Sequence, residues 1–184
     1  MIRIVIIILI LLNTSKVNAS SKEHIINNFK KINNLSFNFI QTIGGKDEKG
    51  NCVIEYPKKI YCSYNMRHKK ILVSNGKSLV IKSNKNNQYY RYQLKSTLLN
   101  VILDKDYLIS KMQNTEGNVV NDKYFNFKIK NELGEINIYF DNSNYDLIGW
   151  QIEDIYQNLT VTFIYDIKAN QKINNNLFKL PKLF

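Results

Sequence analysis

Few residues in this chain are placed to do covalent chemistry. Its two histidines, His24 and His68, stand at no spacing that makes a metal pair or a base beside a nucleophile. Both read as solvated surface residues. The nearest approach to paired carboxylates is Glu153-Asp154, within a segment that alternates like a strand. Strand neighbours point to opposite faces, so these two cannot share one substrate as two catalytic acids must. The sequence holds no G-x-S-x-G elbow, phosphate-cradling loop or dinucleotide glycine motif. The expectation is a protein with no catalytic residues, no metal and no cofactor.

The two cysteines, Cys52 and Cys62, are better placed. Between them the residues read strand, proline-containing turn, strand. With an odd-residue loop both fall on the same face of that hairpin. A loop over Pro57–Lys59 makes them diagonal neighbours, and a loop shifted by one residue makes them directly opposite. A disulfide is the expectation, since the chain reads as exported.

Export is read from the first residues. A short positive start at Arg3 leads into the apolar run Ile4–Leu12 and then to Val17-Asn18-Ala19, the layout of a secretory signal peptide. Nine residues make about 14 Å of helix, too short to cross a bilayer. Cleavage is expected after Ala19, leaving 20–184 as one domain, with no cysteine at the new end to carry a lipid. The formal charge of +11 is spread as single lysines among many asparagines and isoleucines, a balance that reads as codon bias. No basic stripe with interleaved aromatics marks a nucleic-acid surface.

The positioning elements follow from periodicity. Lys22–Ile32 carries Ile25, Ile26, Phe29 and Ile32 on one helical stripe, with Ser21 as the expected N-cap. Beyond Asn33-Asn34 the period becomes 2. Strands are expected near 35–41, 51–56, 60–64, 70–74, 78–83, 88–94, 124–130, 135–141, 147–154 and 159–167, with a turn over Gly44–Gly50. One interruption, Ser96–Ile109, reads as one or two short helices with Leu98, Leu99, Ile102 and Leu103 on the apolar side.

Four strands gather bulk on one face: Phe37 and Phe39; Ile136, Ile138 and Phe140; Ile148, Trp150 and Ile152; Val161, Phe163 and Tyr165. Asn38, Asn137, Gln151, Glu153, Thr160 and Thr162 fall opposite. A sheet with one dry face must be covered by another sheet, by helices, or by its own curling. Two helical pieces are too small for about ten strands. A two-sheet sandwich competes with a curled sheet around a hollow suited to lipid tails, and pattern alone leaves both open.

The order of segments resembles the outer-membrane lipoprotein carrier (LolA) family. The stretches that carry it are Phe37-x-Phe39-x-Gln41-Thr42, Gly50 leading to Tyr56-Pro57 and Tyr61-x-x-Tyr64, Ile71 to Leu79 with its Ser-Asn-Gly-Lys hairpin, the Leu98-Leu99 helix, the Trp150 strand, and Leu177-Phe178-Lys179-Leu180-Pro181. The resemblance implies a mainly β fold: an incomplete, unclosed antiparallel barrel of about ten to eleven strands with an N-terminal helix and a short helical lid. It implies a monomeric periplasmic chaperone that shields lipoprotein acyl chains in a hydrophobic cavity. Its partners would be lipoproteins, an inner-membrane ABC-type release complex and an outer-membrane acceptor lipoprotein. The cavity residues would be Phe37, Phe39, Ile136, Ile138, Trp150, Val161 and Phe163, and the lid residues Leu98, Leu99 and Ile102. Tyr56 stands where the family commonly has an arginine tied to lid closure. It is the candidate latch, limited to one uncharged hydrogen bond. The other reading is a periplasmic structural or sensor module on the same scaffold, its core filled by its own side chains.

Overall fold

The computed structural model describes residues 14–65, 69–154 and 158–183. His68 and most of the expected signal segment lie outside the described residues. The first helix, α1 (Thr14–Lys30), starts before the expected Lys22, and Ser21 lies buried inside it rather than capping it. It closes in a tight last turn, where Lys31 and Ile32 donate to the carbonyls three residues back. Ile25, Ile26 and Phe29 are buried along its stripe, each contributing about 1.5–3 kcal/mol by leaving water.

Eleven strands follow, all paired antiparallel in one sheet. They are β1 (Asn34–Ile43), β2 (Lys46–Glu55), β3 (Lys59–Tyr64), β4 (Ile71–Asn75), β5 (Ser78–Ser83), β6 (Gln88–Gln93), β7 (Asn118–Val120), β8 (Tyr124–Asn131), β9 (Gly134–Asp141), β10 (Leu147–Asp154) and β11 (Leu159–Ala169). Their order is β6-β5-β4-β3-β2-β1-β11-β10-β9-β8-β7. Two meanders are therefore stitched together where the first strand meets the last, and β6 and β7 remain as unpaired edges. The sheet is unclosed, with few helices, and the sandwich alternative is overturned.

The expected turn over Gly44–Gly50 is much shorter. Ile43 pairs with Lys46, leaving a two-residue loop in which Gly44 and Gly45 both have positive φ (54° and 75°). Glycine adopts that backbone without steric cost, and its twist suits a hairpin. Gly50 has a different task. It sits opposite Phe39, and a Cβ there would lie 2.8 Å from the Phe39 ring and 2.2 Å from the Ser63 carbonyl oxygen.

The crossing between the meanders carries α2 (Leu99–Ile102) and α3 (Lys105–Gln113). Asp104 caps α3 by accepting from the Tyr107 amide at 3.2 Å. Helices α1 and α3 cap each other's carboxyl ends. Lys105 Nζ donates to the carbonyls of Lys30 and Ile32 (3.1 and 2.7 Å), and Lys22 Nζ donates to those of Gln113 and Thr115 (2.8 and 3.0 Å). Cations at helix carboxyl ends satisfy carbonyls that have no partner within the helix.

Under these helices the inner face of the sheet forms the main core, with Phe29, Phe125, Phe127, Phe140, Leu103 and Met112 essentially inaccessible. A second, smaller dry zone lies behind the sheet. Val73 and Val80, side by side in the β4–β5 register, are fully buried on the outer face. The 3-10 turn Asn175–Phe178 packs on β3 and β4 there. Tyr89 Oη and Lys82 Nζ donate to the Pro181 and Lys182 carbonyls (3.2 and 3.1 Å).

Candidate functional site

The inner face is not filled along its whole length. Between the β2–β5 wall and the β10–β11 wall lies a cavity of about 240 Å³. Phe39, Gln41 and Ile43 come to it from β1, and Ile60, Cys62 and Tyr64 from β3. Leu72, Leu79 and Ile81 add bulk from β4 and β5, with Trp150, Ile152, Thr160 and Thr162 opposite and Leu99 from α2 at one end.

The register explains which side chains face it. Phe39 pairs with Ile164, and Gln41 with Thr162. Trp150 pairs with both Thr162 and Ile138. Directly paired residues share a face, so Thr160, Thr162 and Ile164 face inward. Val161, Phe163 and Tyr165 face outward, 37–48% exposed. This corrects two expected cavity residues, Val161 and Phe163. The cause is a bulge. Between Ser36 and Asn38 the β1–β11 register slips, and Asp166 there has φ of 53°. Ile167, beyond the bulge, packs against the core; the residues before it are thrown to the other side. A similar irregularity between Leu147 and Gly149 puts Ile148 beside Phe163 in an outer-face groove rather than in line with Trp150 and Ile152.

Of the other expected cavity residues, Phe39 and Trp150 line the space. Phe37, Ile136 and Ile138 share the inner face but are buried in packed core, with Phe37 edge-on to Trp150 at 6.1 Å between centroids. Of the expected lid residues only Leu99 reaches the cavity. Leu98 and Ile102 are buried core.

The cysteines are joined. Cys52 and Cys62 are directly opposite in the β2–β3 register, because the loop is Tyr56–Lys58, and their disulfide forms part of the cavity wall. Tyr56 is not a hydrogen-bonding latch. Its hydroxyl is buried without a partner, its ring lies edge-on to Phe29, and burial raises its pKa, so it stays a neutral phenol. The hairpin instead meets the helices through Lys58. Its backbone N–H donates to the Leu103 carbonyl at 2.8 Å, and its ammonium pairs with Asp104 at 3.1 Å. Two residues beyond Tyr56, this lysine makes the hairpin's charged contact with the helices.

Polarity is graded along the cavity. Gln41 Nε2 donates to Thr162 Oγ1 at 3.0 Å, and the Tyr64 hydroxyl donates to Gln41 Oε1 at 3.2 Å. Burial, with the Glu48 carboxylate nearby, raises the Tyr64 pKa and keeps that donor protonated. Lys70 pairs with Glu48 at 2.5 Å and lies 4.2 Å above the Tyr64 ring. These groups share the end marked by Ile43, while Leu99, Ile60 and Leu79 line the other. Sequence reasoning missed Gln41, Tyr64, Thr160, Thr162 and Lys70. The even-numbered alternation Ile60-Cys62-Tyr64 was the available signal, since it puts Tyr64 on the cysteines' face.

Among the described residues no three His, Cys, Asp or Glu side chains converge to hold a metal. His24, exposed on α1, stacks on Tyr145. No described helix is long and apolar enough to cross a membrane. What the arrangement can do is bury an apolar guest, at about 0.8 kcal/mol per methylene.

No curated protein sequence matches the chain, but it is similar to several solved structures. The LolA superfamily protein NE2245 from Nitrosomonas europaea is 8% identical, with 86% of this chain and 97% of that one covered and a TM-score of 0.46. An uncharacterized conserved protein from Thermus thermophilus is 6% identical, with 89% and 94% covered and a TM-score of 0.51. MucB is 8% identical, with 92% and 64% covered and a TM-score of 0.51. At such identities the likeness is one of fold alone. Residues 30–181, which take in the whole sheet with α2 and α3, match the family described as outer membrane lipoprotein carrier protein LolA, and the chain belongs to that family.

Proposed function

We propose that this protein is a periplasmic carrier that takes lipoprotein acyl chains into the inner-face cavity and moves them from the inner to the outer membrane. In this reading it is exported, cut after Ala19 and monomeric. It receives its cargo from an inner-membrane ABC-type release complex and yields it to an outer-membrane acceptor lipoprotein. The observation that carries the reading is the cavity itself, 240 Å³ of largely apolar space on the inner face of a sheet whose remaining inward bulk is tightly packed. A module with a self-filled core has no use for that space. Family membership supports the same reading.

Binding is physical and reversible. Phe39, Trp150 and Leu99 supply apolar wall, and α2 forms the lid element at one end, joined to the β2–β3 hairpin through Lys58. The test is release of a lipoprotein from spheroplast membranes by the purified mature protein. The expected result is soluble lipoprotein in a one-to-one complex with the carrier. Failure to release any lipoprotein, from protein that also neither retains lipid nor binds an apolar dye, refutes the proposal.

A further inference from the structure

The polarity of the cavity bears on what it holds. The 240 Å³ of space is open to solvent along part of its boundary and has two unlike ends. Strand directions place the β1–β2 turn and the start of β4 together, so Ile43, Gln41 and Lys70 mark one end. Leu99 on α2 marks the other.

Charge is confined to the first end. Lys46, paired with Ile43, and Glu48, paired with Gln41, share the inner face with Lys70 and leave one net positive charge. Lys70 has three donors; Glu48 takes one, and its side chain remains 20% exposed. We infer that the cavity takes an acyl chain with an anionic head, inserted methyl end first toward Leu99 with the head on Lys70. This rests on the proposed acyl-binding function and specifies its ligand class.

The test is calorimetric titration of the mature protein with saturated fatty acids of six to sixteen carbons and with the matching alcohols. Burial of each methylene predicts affinity rising about fourfold per carbon for as long as the added carbons leave water. Decanoate is expected to bind at least tenfold more tightly than decanol. Lys70→Met abolishes that preference, and circular dichroism with urea unfolding shows that the variant is folded. Lys70→Arg retains the preference. Affinity that does not rise with chain length overturns burial of the chain in the cavity. Equal binding of decanoate and decanol by the native protein overturns the assigned orientation. Absence of binding by any chain, in protein folded by circular dichroism, overturns this inference and the proposed function together.

Discussion

Replacing Leu99 by tryptophan separates a ligand cavity from a merely imperfect core. Leu99 is half-buried and closes the apolar end of the cavity. An indole in place of an isobutyl group adds roughly 60 Å³, or two methylenes at ~30 Å³ each. A guest chain that fills the 240 Å³ space must then withdraw by two methylenes. At about 0.8 kcal/mol apiece this costs ~1.6 kcal/mol, or roughly 15-fold in affinity. The apoprotein should not suffer, because the new ring enters empty space, and its unfolding free energy should move by less than ~1 kcal/mol. Displacement of a bound apolar dye by decanoate, with urea unfolding of the same preparation, reads both quantities. Unchanged affinity refutes occupation of the Leu99 end. Destabilisation by more than about 3 kcal/mol refutes the vacancy, since overpacking of a filled core costs that much.

Four further outcomes follow from the same geometry. Phe127→Ala, at a residue with no exposure, should cost about 3–5 kcal/mol in urea unfolding, whereas Phe163→Ala, 48% exposed, should cost under ~1 kcal/mol. Asp104→Ala removes both the α3 cap and the Lys58 pair and should lower stability by about 1–2 kcal/mol; Lys58→Ala, half-exposed, should lower it by less than ~1 kcal/mol. Replacing Cys52 and Cys62 together by alanine opens a short cross-link, sequence separation 10, and should cost about 2–3 kcal/mol, measured as a fall in the urea midpoint. Glu135 is held below its ordinary value of 4.5, first by its hydrogen bond to Lys128 and then by that to Lys130. A depressed folded pKa gives stability that is present above pH 4.5 and lost as pH falls through the folded value. Glu135→Gln should flatten that acid limb of the stability–pH curve by lowering stability slightly at neutral pH while leaving the acid end unchanged, a small effect because the lysine partners are largely solvated.

Most of the strands were legible because alternation with period 2 is a direct consequence of the pleat. The single sheet was not legible from the pattern, because a second sheet could have covered the dry face as well as curling does. Phase was not legible. Alternation shows that Val161, Phe163 and Tyr165 share a face, and bulk suggests that this face is dry. Which way it points depends on neighbours and on the bulge at Asp166, a residue with no sequence mark of positive φ such as glycine. One inserted residue reverses every side chain that precedes it. The same logic hid Thr160 and Thr162, whose hydroxyls look like solvent-facing groups until Gln41 is seen opposite. Strand β7, three residues at an edge, was too short to show a period. In the lid, Leu98 and Leu99 are equivalent as sequence, and only the helix's rotation against the core makes one structural and the other a cavity wall. Position in the sequence points to Tyr56 as the hairpin's contact with the helices; the contact is made from Lys58 because the loop carries the chain past the core before reaching Leu103 and Asp104.

The carboxyl-terminal strap has a mechanical consequence. By drying the rear of β4 and β5 while the cavity dries their front, it leaves that stretch of sheet immersed in protein on both surfaces, as a central layer rather than a skin. A layer held from behind does not flex outward to admit a bulkier guest. Any expansion falls to the opposite boundary, where one turn of helix hangs between a tethered hairpin and a longer neighbour.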